Sequence, residues 1–214
     1  MAILKQGILG GFSGKVGNVV GASWKGIDYI RSLPSSVSNP RTPGQVSQRT
    51  KFSLVQGFLT SMQSAVRIGF KNYAGKQTAF NAATSYNLRN GIIGEGSNIK
   101  LDFPNLKVSK GKLYPSPSGD ALVYNDELIF EWNNSRGSNG SEYDKVIMVV
   151  FNEVLNESVV RFPQTERMDG EDRVIIPLHW LGHKVHCYLT FTSPDEKMIS
   201  DSTYFGAVDI PTEI

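Results

Sequence analysis

The sequence predicts two folded parts. Residues 1–115 read as an α+β domain of glycine-rich β-hairpins plus two helices, and residues 116–214 as an all-β sandwich of immunoglobulin or fibronectin type. Three observations carry this reading. Glycines punctuate short β-branched segments at the start, an apolar stripe of helical period follows, and seven strand-like segments crowd the last part of the chain.

In "GILGGFSGKVGNVVGASWKGIDYIRS", Val16, Val19, Val20, Ile27 and Ile30 lie between Gly7, Gly10, Gly11, Gly14, Gly17, Gly21 and Gly26. Short strands joined by glycine turns are expected, with Trp24 and Tyr29 packing across a hairpin. Gly14-Lys15 does not open a phosphate loop, because Val16 stands where Ser or Thr is required and Leu9 where the first glycine is required. A dinucleotide fingerprint is also not expected, since its glycines open a helix and these precede a Val-Val hairpin.

Thr42-Pro43-Gly44-Gln45 has the spacing of a capping box with proline in the first turn. Beyond it Phe52, Val55, Leu59, Met62 and Val66 recur at spacings of 3, 4, 3 and 4, with Leu54 and Phe58 widening the stripe, which predicts a helix over 43–70. Its other face carries Gln48, Lys51, Gln56, Thr60, Gln63 and Arg67, and Arg49 flanks it. Thr78 is expected to start a second helix, with Phe80, Ala83 and Asn87 on one face and Gly91 as the left-handed residue after its end. Residues 98–113 alternate as a strand through Ile99, Leu101 and Phe103, and Pro104 keeps that strand short or at an edge.

"LYPSPSGDA" (113–121) marks the boundary by its Pro, Ser and Gly content. The strands expected after it are 121–125, 127–132, 145–152, 157–162, 173–178, 184–191 and 202–210, the number and spacing of an immunoglobulin-like sandwich with Trp132 in its core. Cys187 is the only cysteine, so no disulfide joins the sheets.

The net charge of +2 conceals a division: residues 1–110 hold 14 Lys/Arg and 3 Asp/Glu, net +11, and residues 111–214 hold 8 and 17, net −9. One half is therefore expected to meet something anionic. No window approaches the roughly 18 uninterrupted apolar residues of a membrane span. The beginning lacks the pattern of a secretory signal, so synthesis in the cytoplasm is expected, with the final location open. His179, His183 and His186 cluster in "HWLGHKVH" beside Cys187, but strand geometry turns Cys187 away from His186, and a zinc site is not expected. "MDGEDR" (168–173) lacks the ligand spacing of a calcium loop. No nucleophile elbow is present, and no enzyme activity or cofactor is expected.

At "GFSGKVGNVVGASWKGIDYIRS" with "NPRTPGQVSQRTKF", and again at "AFNAATSYNLRNGI" and "DSTYFGAVDI", the chain resembles a family of Bacteroidota proteins of unknown function. Over residues 11–60 its W-K-G hairpin and N-P-R-T-x-x-Q helix opening are similar to small structural proteins of tailed phages and prophages. That resemblance implies a non-catalytic structural or assembly role.

The leading expectation is self-association head to tail through the basic and acidic halves, with other structural proteins as further partners. Ile3, Ile8 and Leu9 are candidates for strand exchange, against their packing as an internal strand. Lys25, Arg31, Arg41, Arg49, Lys51 and Arg67 are the candidate contacts to an anion. The alternatives are a nucleic-acid-associated protein using these cations and a carbohydrate- or protein-binding module on the sandwich.

Overall fold

The computed structural model describes residues 3–4, 11–24, 26–36, 39–162 and 164–213. The chain divides into two compact units, residues 1–42 and 43–214.

In the first unit β1 (Ile3–Leu4), β2 (Phe12–Val16), β3 (Val19–Trp24) and β4 (Ile27–Ser32) form an antiparallel sheet in chain order. Gly17-Asn18 turns β2 into β3 in two residues, and Gly17 has φ 55°, a left-handed value open to glycine without a Cβ clash. The glycine-turn hairpins expected from the sequence are therefore present. Among the described residues of this unit only Gly21 is buried, and all six residues of β4 are exposed.

The second unit is α+β and has three layers. α1 (Pro43–Ser61), α2 (Gln63–Gly69) and α3 (Ala79–Asn90) form one layer. The expected 43–70 helix is thus present, interrupted at Met62. Val55, Phe58, Leu59, Met62 and Val66 are fully buried, but Phe52 is 50% exposed, so the buried stripe starts one turn later than its spacing suggested. Thr78 caps α3, its Oγ1 accepting from the Asn81 N–H at 3.2 Å. Gly91 ends α3 at φ −109°, not in the left-handed region; glycine is needed because a Cβ would meet Leu106 Cδ2 at 2.3 Å.

The strand expected over 98–113 is reduced to a two-residue pairing of β5 (Ile92–Ile93) with β6 (Lys100–Leu101). Pro104, which lacks a donor N–H, lies in the 3-10 turn that follows at Phe103–Asn105.

Seven strands complete the chain: β7 (Gly119–Tyr124), β8 (Glu127–Trp132), β9 (Lys145–Asn152), β10 (Glu157–Arg161), β11 (Glu171–Ile175), β12 (Lys184–Thr192) and β13 (Thr203–Asp209). They form a four-stranded antiparallel sheet, β10-β9-β12-β13, and a three-stranded one, β11-β8-β7. Between the two sheets lies one core, with Val146, Met148, Val150, Val185, Leu189 and Phe191 facing Leu128, Phe130 and Trp132. On the other face of the four-stranded sheet Ile147, Val149, Phe151 and Tyr188 pack against the helices. Phe58 meets Phe151 edge-on at 5.0 Å and Tyr188 at 5.8 Å between ring centres.

The boundary expected at 115/116 falls inside this unit. The apolar stripe of α1 and the second apolar face of β9 and β12 cover one another, so helices and sandwich share a core. Trp132 is in the sandwich core as expected, its indole N–H donating to the Arg167 carbonyl at 2.9 Å.

Arg167 is itself fully buried. Its guanidinium pairs with Asp144 at 3.1 Å, donates to the Ser135 and Tyr114 carbonyls and stacks 3.7 Å above the Phe191 ring. Burial lowers its pKa while Asp144 opposes that shift.

Candidate functional site

Of the residues expected to meet an anion, those on the helices, Arg49, Lys51 and Arg67, do not gather at one point of that layer. Arg31 is exposed on β4 and shares a cross-strand row with Val20 and Lys15 (Lys15↔Val20, Val20↔Arg31). Arg41 is exposed at φ 48°, just before α1. On α1, Arg49 and Lys51 are two residues apart, about 200° around the helix, so they point to opposite sides. Arg67 lies on α2, about 27 Å farther along the helical path than Arg49. Lys25, Ile8 and Leu9 lie outside the described residues. Ile3 is in β1, opposite Ser13 of the same chain, which is the internal-strand alternative that the sequence left open.

A second surface emerges from strand register. On the outer face of the three-stranded sheet, Asp120 is opposite Glu131 and Glu131 is opposite Glu171, so three carboxylates form a row across the sheet. The next row is Leu122, Ile129 and Arg173, and the one after it Tyr124, Glu127 and Ile175. Leu122, Tyr124 and Ile175 are 54%, 63% and 68% exposed. Arg173 pairs with Glu127 at 3.2 Å and reaches Glu171 only at 4.0 Å. Among the described residues no cation is paired with Asp120 or Glu131. Carboxylates directly opposite one another repel, so this row opposes the sheet that carries it.

The signal for this face was present as alternation. Asp120, Leu122 and Tyr124, and Glu127, Ile129 and Glu131, are every second residue of their strands. What the sequence lacks is the register that aligns the acids.

The second unit has hollows on its surface, two of them sizeable. An open groove of about 920 Å³ runs along α1 past Arg49, Phe52, Gln56 and Thr60 to Leu88 and Asn156. Gly57 in the middle of α1 costs about 1 kcal/mol relative to Ala, but a Cβ there would meet the Asn156 side chain at 2.8 Å. The glycine lets the turn between β9 and β10 lie against the helix. A smaller hollow of about 550 Å³ has Tyr73, Lys110, Lys112 and Lys197 on its walls. Lys110 is paired with Asp201, and Lys197 with Asp195 at 3.1 Å.

The three histidines go to separate partners. His179 contacts Glu157 at 2.9 Å, His183 contacts Asn152 at 3.0 Å, and His186 contacts the Tyr204 hydroxyl at 2.9 Å and Glu153 at 3.5 Å. His186 also stacks on Phe103 at 3.4 Å, and burial lowers its pKa against the opposing pull of Glu153. Among the described residues no group of three His, Cys, Asp or Glu side chains is gathered to hold a metal ion. Cys187 faces the sandwich core, where burial raises its pKa and keeps the thiol protonated.

Among the described residues no helix is long and apolar enough to cross a membrane. The chain matches the profile of DUF6266, a family of unknown function, over residues 11–206, and it belongs to that family. No curated protein matches it.

Proposed function

We propose that this member of a family of unknown function is a non-catalytic structural protein that assembles head to tail with copies of itself. One observation carries the reading: residues 1–42 form a sheet that buries none of its large described side chains. Five Lys/Arg and one Asp in that unit give net +4, against 17 Lys/Arg and 19 Asp/Glu, net −2, in residues 43–214. Sheets of this size need a covered apolar face to be stable, and a cationic one is best covered by an acidic surface. The acidic outer face of the sandwich, on another copy, is such a surface.

The strand order supports reading the sandwich as fibronectin-like. The fourth strand, β10, pairs with the third, β9, instead of joining the sheet of the first, second and fifth, as it does in constant-type immunoglobulin domains. The likeness to phage structural proteins suggests a virion-like assembly as the setting.

Sedimentation of the full chain, with electron microscopy, tests the proposal. Concentration-dependent oligomers at low salt are expected. A protein that stays monomeric at high concentration and low salt overturns the reading. Tight binding to generic DNA under the same conditions, weakening steeply with salt, favours a nucleic-acid partner for the cations instead.

A further inference from the structure

We infer that the outer face of β7-β8-β11 receives the cationic face of β2-β3-β4 from a second copy of this chain, an assignment that rests on the self-assembly reading. The inference comes from two sheet faces whose side chains are laid out in matching rows. On one, Asp120, Glu131 and Glu171 cross three strands. On the other, Lys15, Val20 and Arg31 also cross three strands, with a cation at each end. Adjacent strands are about 4.8 Å apart, so the outer members of each row are separated by about 10 Å. Two ammonium or guanidinium groups at that spacing can meet the carboxylates of Asp120 and Glu171, with Glu131 between them.

The rows beside the charges hold exposed apolar side chains on both faces, mixed on the sandwich with Arg173 and Glu127, which pair with each other at 3.2 Å. Two residues along from Arg31, on the same face, stands Tyr29 opposite Ala22, and two further stands Ile27. Two residues along from Asp120 stands Leu122 opposite Ile129, and two further stands Tyr124. Tyr29 and Ile27 are 44% and 67% exposed, comparable with Leu122 and Tyr124. Each face therefore has a charged row at one end with exposed apolar side chains beside it, the two rows are opposite in sign, and on the sandwich the neighbouring Arg173 is held by Glu127. Exposed charges are screened within about 8 Å at physiological salt, so the apolar rows supply contact energy and the charges fix orientation.

The two faces differ, so the contact is heterologous and propagates to a ring or an open chain instead of closing a two-fold dimer. Three strands by five residues give a face of about 10 by 14 Å, much less than the roughly 800 Å² per partner of a standard interface. A single contact is therefore weak, and assembly requires high concentration.

The test is sedimentation velocity on the full chain at high concentration and low salt. The wild type is compared with an acid-reversed variant (Asp120→Lys, Glu131→Lys, Glu171→Lys), a base-reversed variant (Lys15→Glu, Arg31→Glu) and their equimolar mixture. Each variant alone is expected to sediment as a monomer, and the mixture to recover assembly as alternating copies. A near-isosteric neutral variant (Asp120→Asn, Glu131→Gln, Glu171→Gln) removes the cross-strand repulsion and so keeps the fold. It is expected to need at least tenfold more protein to assemble. If the wild type assembles and the neutral variant assembles equally well, this face is not the contact, although the self-assembly reading stands. A monomeric wild type removes both.

Discussion

Residues 1–42 and residues 43–214 use β-structure in opposite ways. The first unit has a four-stranded sheet whose described residues are exposed or half-buried apart from Gly21. The second has a four-stranded sheet whose two central strands are buried on both faces, β9 at every position after Lys145 and β12 at every position after Lys184. Strand content is therefore a poor guide to where the stability lies. Burial of apolar area drives folding, so the stability lies in the second unit, and the first has no comparable core among its described residues.

The largest effect expected from this contrast is at the helix–sheet contact. Phe58→Ala removes a fully buried ring that touches Phe151 and Tyr188. It should cost about 3–5 kcal/mol. Urea unfolding should show helix circular dichroism and Trp132/Trp180 fluorescence lost together. Two separated transitions would break the view that helices and sandwich share one core. An effect of similar size is expected for Asp144→Ala, which leaves the Arg167 guanidinium buried without its carboxylate, at about 3–5 kcal/mol. A loss under 1 kcal/mol in the same assay would show that the backbone carbonyls of Tyr114 and Ser135 suffice.

Thr78→Ala should cost about 1 kcal/mol by releasing the Asn81 N–H at the start of α3. A shallower effect is expected with pH. Burial holds the His186 pKa below its ordinary value of 6.5, so the unfolded chain binds this proton more readily. His186 therefore favours the fold above that ordinary value, and the contribution is lost as pH falls through the lower folded pKa. Melting temperatures should decline through that window, and His186→Gln should flatten the decline; an unchanged slope assigns it to other groups.

The smallest effect belongs to the first unit. Ile30 is 66% exposed, and Ile30→Ala should change monomer stability by no more than about 0.5 kcal/mol. A loss of several kcal/mol would mean that this sheet has a core after all, and the contrast would fail.

Much of this fold was legible in the sequence because period is local. All seven sandwich strands are present near where strand-like runs and turn residues put them, the first and fifth starting two residues earlier than expected, and the α1 stripe is correct from Val55 onward. What covers a strand is not local. Yet "KVIMVVFN" is a continuous apolar run and not an alternating one, the pattern of a strand buried on both faces. That run was the available sign that helices cover the sandwich. The acidic row was not legible, because Asp120, Glu131 and Glu171 become neighbours only once two hairpin registers are fixed. The cations scattered for the complementary reason: Arg49 and Arg67 look close in a polar list but are five helical turns apart.

The contact between Phe58 and Phe151 has a consequence for how the chain is made. The two rings are separated by 93 residues of sequence. At roughly 5–20 residues per second, synthesis leaves about 5–20 s between the emergence of the helix and that of its partner strand. During that interval the stripe of Val55, Phe58, Leu59 and Met62 has no sheet to cover it. A nascent chain stalled before β9 should therefore bind chaperones through 55–66, and one stalled after β12 should release them.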